Sequence, residues 1–126
     1  MSNIDLGGVS LDCDDPAQLG RFWADLLGGE IVLSSEEVVV VKTKYILVTA
    51  MRVENYLPPT WPIALVPKQA HIDVNVDDLL AAEVRALSLG GVRAPLQPDP
   101  ESHLIFFDPA GHPFCLTTQI PKEWSS

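Results

Sequence analysis

The sequence has little of what several protein classes require. It holds only two cysteines, Cys13 and Cys115, too few for a disulfide scaffold, so a reduced, cytoplasmic setting is expected. Basic residues are scarce: eight Lys and Arg stand against seventeen Asp and Glu, a net charge of −9. A nucleic-acid backbone or an anionic membrane surface needs the cations this chain lacks, so neither is an expected partner. An acidic balance suits neutral or cationic small ligands, and it also simply keeps a protein in solution. Long apolar runs are missing too. The longest, such as Val38 to Val41, have strand length, far short of the roughly 20 residues of a membrane span. The first residues carry no basic stretch leading into an apolar one, so no signal peptide is expected. No Gly-rich phosphate loop, nucleophile elbow or zinc-spaced cysteine set occurs.

What is present is a repeat. Gly8-Val9-Ser10-Leu11-Asp12-Cys13-Asp14-Asp15 returns 63 positions later as His71-Ile72-Asp73-Val74-Asn75-Val76-Asp77-Asp78, and 63 is half of the 126 residues. Each copy alternates like a half-buried strand and ends in an Asp pair. In the first copy Asp15 reads as a helix N-cap, Pro16 as the first helical residue and Gln18 as the partner of a capping box. Leu19, Phe22, Trp23 and Leu26 then fall on one helical face, and Gly28-Gly29 supplies the stop. Strands are predicted at 30–33, 37–42 and 45–52, turning at Ser34-Ser35 and Thr43-Lys44. The second copy predicts a strand over 70–76 and a helix from Asp78 through Leu89, with Leu80, Val84 and Leu87 on one face. Gly90-Gly91 ends it. Strands follow at 92–96, 103–107 and 113–118, joined by turns at Gln97-Pro98-Asp99-Pro100 and Asp108-Pro109-Ala110-Gly111.

The organisation is therefore a single α+β domain over 1–126 with two β-α-β-β-β modules, one at 7–52 and one at 70–118, and a tail at 119–126. Between them, 53–69 holds Pro58, Pro59, Pro62 and Pro67, which forbid a regular element there. It reads as a stiff crossover, with a lid role as the alternative.

Several motifs carry a family likeness. Asp14-Asp15-Pro16 leads into Phe22-Trp23 and Leu27-Gly28-Gly29. His71-Ile72-Asp73-Val74 leads into Val76-Asp77-Asp78, and Phe107-Asp108-Pro109-Ala110-Gly111-His112-Pro113-Phe114 is close to a final Asp-Pro-x-Gly-Asn turn. In this order they resemble the vicinal oxygen chelate superfamily, which includes glyoxalase I, extradiol dioxygenases and bleomycin-resistance proteins. Pro58-Pro59-Thr60-Trp61-Pro62 is similar to a glyoxalase-like subgroup often found in actinobacteria. The resemblance implies a glyoxalase-like paired half-barrel, a homodimer, and a cup for a small molecule. Metal-using members hold a divalent ion with residues of the first and last strand of each module, as a Lewis acid.

Those ligand positions correspond here to Gly8, Met51, His71 and Cys115. Gly8 has no side chain and Met51 is a thioether, a poor partner for hard ions. Only His71 is a family-type ligand in its expected place, while Cys115 stands where a Glu is typical. Overlaying the copies sets His71 against Gly8 and Cys115 against Met51.

Strand parity turns His71, Asp73 and Asn75 toward the cup, and Gly8, Ser10 and Asp12 in the other copy. Asp12 and Asp73 would make a candidate general-base pair. Tyr45, Met51, Trp61 and Phe107 supply apolar and aromatic walls, with Cys115 beside His71, Asp73 and Asn75. His103 opens a strand and His112 fills a turn; His103, Asp12 or Asp73 could stand in for a missing metal ligand, though nothing in the spacing demands it. The expectation is a small-molecule binding protein with no resident cofactor and an incomplete metal site. Competing readings are a metal-dependent lyase, isomerase or dioxygenase using His71, and a dimer with a vestigial site.

Overall fold

The computed structural model describes residues 3–124. The chain divides into two compact units, one ending at Tyr56 and the other beginning at Leu57. Each is built in the same order. The first runs β1 (Gly8–Cys13), α1 (Pro16–Leu27), β2 (Glu30–Ser34), β3 (Val38–Lys42) and β4 (Leu47–Arg52). The second runs β5 (Ile72–Asn75), α2 (Leu79–Ser88), β6 (Val92–Arg93), β7 (His103–Phe107) and β8 (Pro113–Thr117), with a 3-10 turn at Lys122–Trp124. The sheets are ordered β1-β4-β3-β2 and β5-β8-β7-β6. In both, the first strand pairs in parallel with the last and the remaining pairs are antiparallel. The repeat in sequence is thus a repeat of topology: two tandem β-α-β-β-β modules. No helix among the described residues is long and apolar enough to cross a membrane.

The helix starts follow the capping chemistry. Asp15 and Asp78 each accept a hydrogen bond at 3.1 Å from the backbone N–H three residues on, at Gln18 and Ala81. Gly28 ends α1 in the left-handed region at φ 65°, and Gly90 follows α2 at φ 103°, conformations that side chains resist.

The first unit's core matches its helical pattern. Leu19, Phe22 and Trp23 are fully buried against Val39, Val41, Val48, Ala50 and Cys13. Phe22 and Trp23 meet edge to face at 5.4 Å, and burying a ring of this size contributes about 2–3 kcal/mol. At Gly20 the helix comes so near the sheet that a Cβ would overlap Val39.

The second helix packs differently from the pattern. Leu80, Val84 and Leu87, the predicted inward face, are 70%, 61% and 49% exposed. The sheet side carries small and half-buried residues instead: Ala82, Glu83 and fully buried Ala86. Glu83 pairs with Arg93 on β6, an anchor that favours this rotation over the more hydrophobic one. The buried apolar mass comes from the sheet, where Leu104, Phe106, Phe114 and Leu116 are packed and the two phenylalanine rings lie 5.9 Å apart.

Five strands are shorter than predicted: β3 and β8 by one residue, β5 by three, and β4 and β6 for reasons their hydrogen bonds show. β4 begins at Leu47, not Tyr45, because the Thr43 hydroxyl accepts from Ile46 N–H at 3.2 Å and bonds its carbonyl, closing a turn over 43–46. Tyr45 is left in that turn, 62% exposed, with the Lys44 ammonium 5.3 Å from its ring. β6 stops at Arg93 because the Gln97 side chain takes over the ladder. Its carboxamide accepts from Ile105 N at 2.9 Å and shares Ile105 O, at 2.8 Å, with Ala94 N at 3.0 Å, so the ladder passes from backbone to side chain.

The proline-rich stretch is ordered around Thr60, whose hydroxyl accepts from Leu65 N and Val66 N at 2.9 and 3.1 Å. Trp61–Pro62 is a cis peptide. Pro58 lies against Gly111, where an added Cβ would stand 2.9 Å from it. The Asp108–Gly111 turn is held by the buried Asp108 carboxylate, which accepts from Ala110 N and His112 N at 3.0 and 2.9 Å.

Candidate functional site

Register determines which side chains share a face of the second sheet. Asp73 lies opposite Cys115, and Cys115 opposite Ile105; Asn75 lies opposite Thr117, and Thr117 opposite His103. Ile72, Val74, Phe114 and Leu116 alternate with these residues, and Phe114 and Leu116 are fully buried. The face turned away from that core therefore gathers His71, Asp73, Cys115, His103 and Thr117. With Gln119 and Ile120 they line a cleft of about 320 Å³, the scale of a small-ligand site.

Within the cleft three groups converge. His71 Nε2 lies 3.1 Å from Asp73 Oδ1, two residues along one strand face. Asp73 also accepts a hydrogen bond from the Cys115 thiol. Among the described residues, the ligand atoms of His71, Asp73 and Cys115 all lie within 4.8 Å of one another. The Cys115 thiol is pushed up to about 11, first by its burial, then by the Asp73 charge and the hydrogen bond to it; Lys68 pulls it partly back. Without a cation beside it this sulfur is a neutral thiol at ordinary pH.

A larger cleft, about 750 Å³, lies at the start of α2, lined by Asn75, Val76, Asp77, Asp78, Ala81, Ala82, Thr118, Ile120 and Lys122. The first unit has its counterpart, about 480 Å³, around Asp14, Asp15, Pro16 and Arg52. Both sit at the repeated Asp-Asp helix start, and Asp15 and Asp78 are engaged as caps. Their recurrence in both modules makes these clefts a consequence of the fold. The smaller cleft holds the less common chemistry.

In the first unit the corresponding face carries Ser10 opposite Thr49 and Asp12 opposite Met51. Superposing the repeats through these pairs corrects the sequence alignment of the last strands: Cys115 matches Thr49, and Met51 matches Thr117. Gly8 pairs with Leu47 so closely that a Cβ would stand 2.5 Å from the Leu47 carbonyl oxygen and 2.9 Å from its Cβ. A side chain at position 8 has no room on this backbone.

A family model described as a glyoxalase-like domain matches residues 8–117. The chain belongs to the glyoxalase-like domain family. Solved structures share the fold. The fosfomycin resistance protein FosX from Mesorhizobium loti aligns with TM-score 0.71 and 20% identity over 99% of this chain and 100% of that one. FosX from Listeria monocytogenes, solved with Mn(II) and sulfate, aligns with TM-score 0.72 and 17% identity over 97% and 95%. A glyoxalase-related enzyme from Fulvimarina pelagi gives 0.65 and 17% over 90% and 86%. No curated protein sequence matches the chain significantly.

On this fold the Listeria monocytogenes FosX holds Mn(II), and the residues at the corresponding positions here match a metal only in part. The four-position set does not fit: position 8 is sterically closed, the expected Met51 is a half-exposed thioether, and Thr49, which the register sets at the place of Cys115, offers only a hydroxyl. A three-donor set of imidazole, carboxylate and thiol does fit, with all members on β8 or at and beside β5. Of the predicted site residues, His71, Asp73 and Cys115 come together. Asn75 lines the neighbouring cleft at α2. Phe107 shares the face of Cys115 and His103 without lining the cleft, and Trp61 lies in the Thr60 loop. Asp12, Tyr45 and Met51 belong to the first unit. Thr117, Gln119 and Ile120 are not among the expected site residues, and His103 is expected only at a strand opening or as a replacement ligand. The signal that finds His103 and Thr117 is parity: they lie two residues from Ile105 and Cys115 in the register of β7 and β8.

Proposed function

We propose that the chain is a small-molecule binding protein whose site is the His71–Asp73–Cys115–His103 cleft of the second module, with the family's four-position metal chelate incomplete. The observation that carries this reading is the convergence of three hydrogen-bonded polar groups in one small cleft, while position 8 admits no ligand at all. Asp73 and the net charge of −9 favour neutral or cationic organic ligands over anions. His71 and His103 supply donors or acceptors that orient the molecule, and Ile120 adds an apolar wall. FosX of Listeria monocytogenes has been solved with 1S,2S-dihydroxypropylphosphonic acid, and its fold likeness supports a ligand of comparable small size. The reading includes a homodimer and a cytoplasmic setting, the first measurable by sedimentation.

The test is a thermal-shift screen of the full chain in chelator against neutral, cationic and anionic metabolites. A neutral or cationic compound at 100 times its Kd stabilises the fold by about 2.7 kcal/mol, and Asp73→Asn weakens it about tenfold. Stabilisation by anions alone, or by nothing in a broad set, would overturn the reading.

A further inference from the structure

The first module's sheet is an internal control for the second. At equivalent registers the one holds Gly8, Ser10 and Thr49 and the other His71, Asp73 and Cys115. The backbone pairing is the same, so the fold does not demand an imidazole, a carboxylate and a thiol at these points. Their accumulation in one copy calls for a chemical reason.

We propose that His71, Asp73 and Cys115 form a zinc site built within the second module alone, with Asp73 as a ligand. This rests on the same cleft being the binding site. The donors already lie within 4.8 Å of one another, and His71 Nε2 and Asp73 Oδ1 are 3.1 Å apart. Zinc bonds of about 2.3 Å to sulfur and about 2.0–2.2 Å to nitrogen and oxygen set tetrahedral ligand atoms roughly 3.3–3.7 Å apart. Small rotations of three partly exposed side chains close that difference. Ligand softness then separates the ions. A thiolate favours zinc, whereas manganese and magnesium prefer all-oxygen or carboxylate-rich shells. Three protein ligands in a solvent-open cleft leave a fourth position for an oxygen or nitrogen of the bound small molecule. A bound zinc would supply Lewis-acid polarisation there. A cation also compensates the negative charge of Asp73 beside a sulfur that must ionise to bind.

The experiment is a titration of the full chain with Zn(II), Mn(II) and Co(II). Zinc is expected to bind one to one and more tightly than manganese. Cobalt is expected to give a thiolate-to-metal charge-transfer band that survives Cys13→Ala and is lost in Cys115→Ser. His71→Ala and Asp73→Asn should each weaken zinc by about tenfold or more. The double variant Asp73→Ser with Cys115→Thr, which installs the first module's residues at matching registers, should keep the circular dichroism spectrum and lose the zinc. Zinc binding no tighter than manganese, a cobalt spectrum without the thiolate band, or full affinity in Asp73→Asn would overturn the proposal. Ligand stabilisation persisting in chelator leaves the binding reading standing when zinc fails, so the two failures are distinguishable.

Discussion

The Cys115 thiol offers a direct reading of the cleft's electrostatics. A thiol at 9.0 is about 9% ionised at pH 8, whereas one at about 11 is about 0.1% ionised, roughly a hundredfold deficit in thiolate. The more basic thiolate is intrinsically more nucleophilic. With a Brønsted slope near 0.4–0.5, it recovers about eightfold. Alkylation of the folded, metal-free protein, kept in chelator, by iodoacetamide at pH 8 is therefore expected to run about tenfold slower than a free thiol. It should keep rising with pH to about 11 instead of levelling near 9. Cys13 is 0% exposed, so intact-mass spectrometry of the folded chain reads Cys115, with Cys115→Ser as the blank. Asp73→Asn removes the second cause, the charge, weakens the third, and leaves burial, the first. The rate at pH 8 should rise several-fold without reaching that of a free thiol. The same shift has a sign for stability. The folded state holds the proton to higher pH than the unfolded chain, so this contribution is intact below about pH 9 and is lost as pH rises through about 11. A rate that levels off near pH 9, or one indifferent to Asp73→Asn, would refute this account of the cleft.

Three further outcomes follow from the packing. Asp108→Ala removes the bonds its carboxylate accepts from Ala110 N and from the part-buried His112 N and should cost about 1–3 kcal/mol in urea unfolding. Gly8→His should not restore a metal ligand. Its Cβ collides with Leu47, so the melting temperature should fall, consistent with about 1–3 kcal/mol of overpacking, while zinc affinity stays unchanged. Asp15→Ala and Asp78→Ala should each cost about 1 kcal/mol, equal within error, since both caps accept one backbone bond at 3.1 Å.

The limits of what could be read from the sequence have particular causes. The first helix was legible because Leu19, Phe22 and Trp23 fall together on one face and are the large side chains it buries. The second was not, because two faces compete: a hydrophobic one through Leu80, Val84 and Leu87, and a small one through Ala82 and Ala86. Local periodicity scores hydrophobicity, but close helix-to-sheet packing selects small side chains, and the Glu83–Arg93 pair adds a long-range preference for that rotation. β6 failed for a related reason. Val92 to Leu96 has the propensity of a strand, yet Gln97 supplies the partner bonds to Ile105 from its side chain, a substitution invisible to any local pattern.

The site was half legible. Parity, set by the alternation of β5, correctly turned His71, Asp73 and Asn75 away from the apolar side of their strand. Parity says nothing about register, and register decides which of them meets the last strand. Asp73 meets Cys115 across a parallel pairing 42 positions apart, while Asn75, two residues and about 6.6 Å further along, meets Thr117 instead. The sequence overlay set Cys115 against Met51 because both fall in the final strand of a module, without the register of either strand. The ladders place Thr49 there instead. That correction changes the meaning of the repeat. Where the copies agree, at the Asp caps and the parallel pairing of first and last strands, the residues serve the fold that both modules need. Where registers agree and residues do not, folding has already shown it can do without them: Ser10 and Thr49 form the same ladder that Asp73 and Cys115 form. Divergence at matched register therefore separates chemistry from architecture within one chain, and it isolates the acid–thiol pair beside His71.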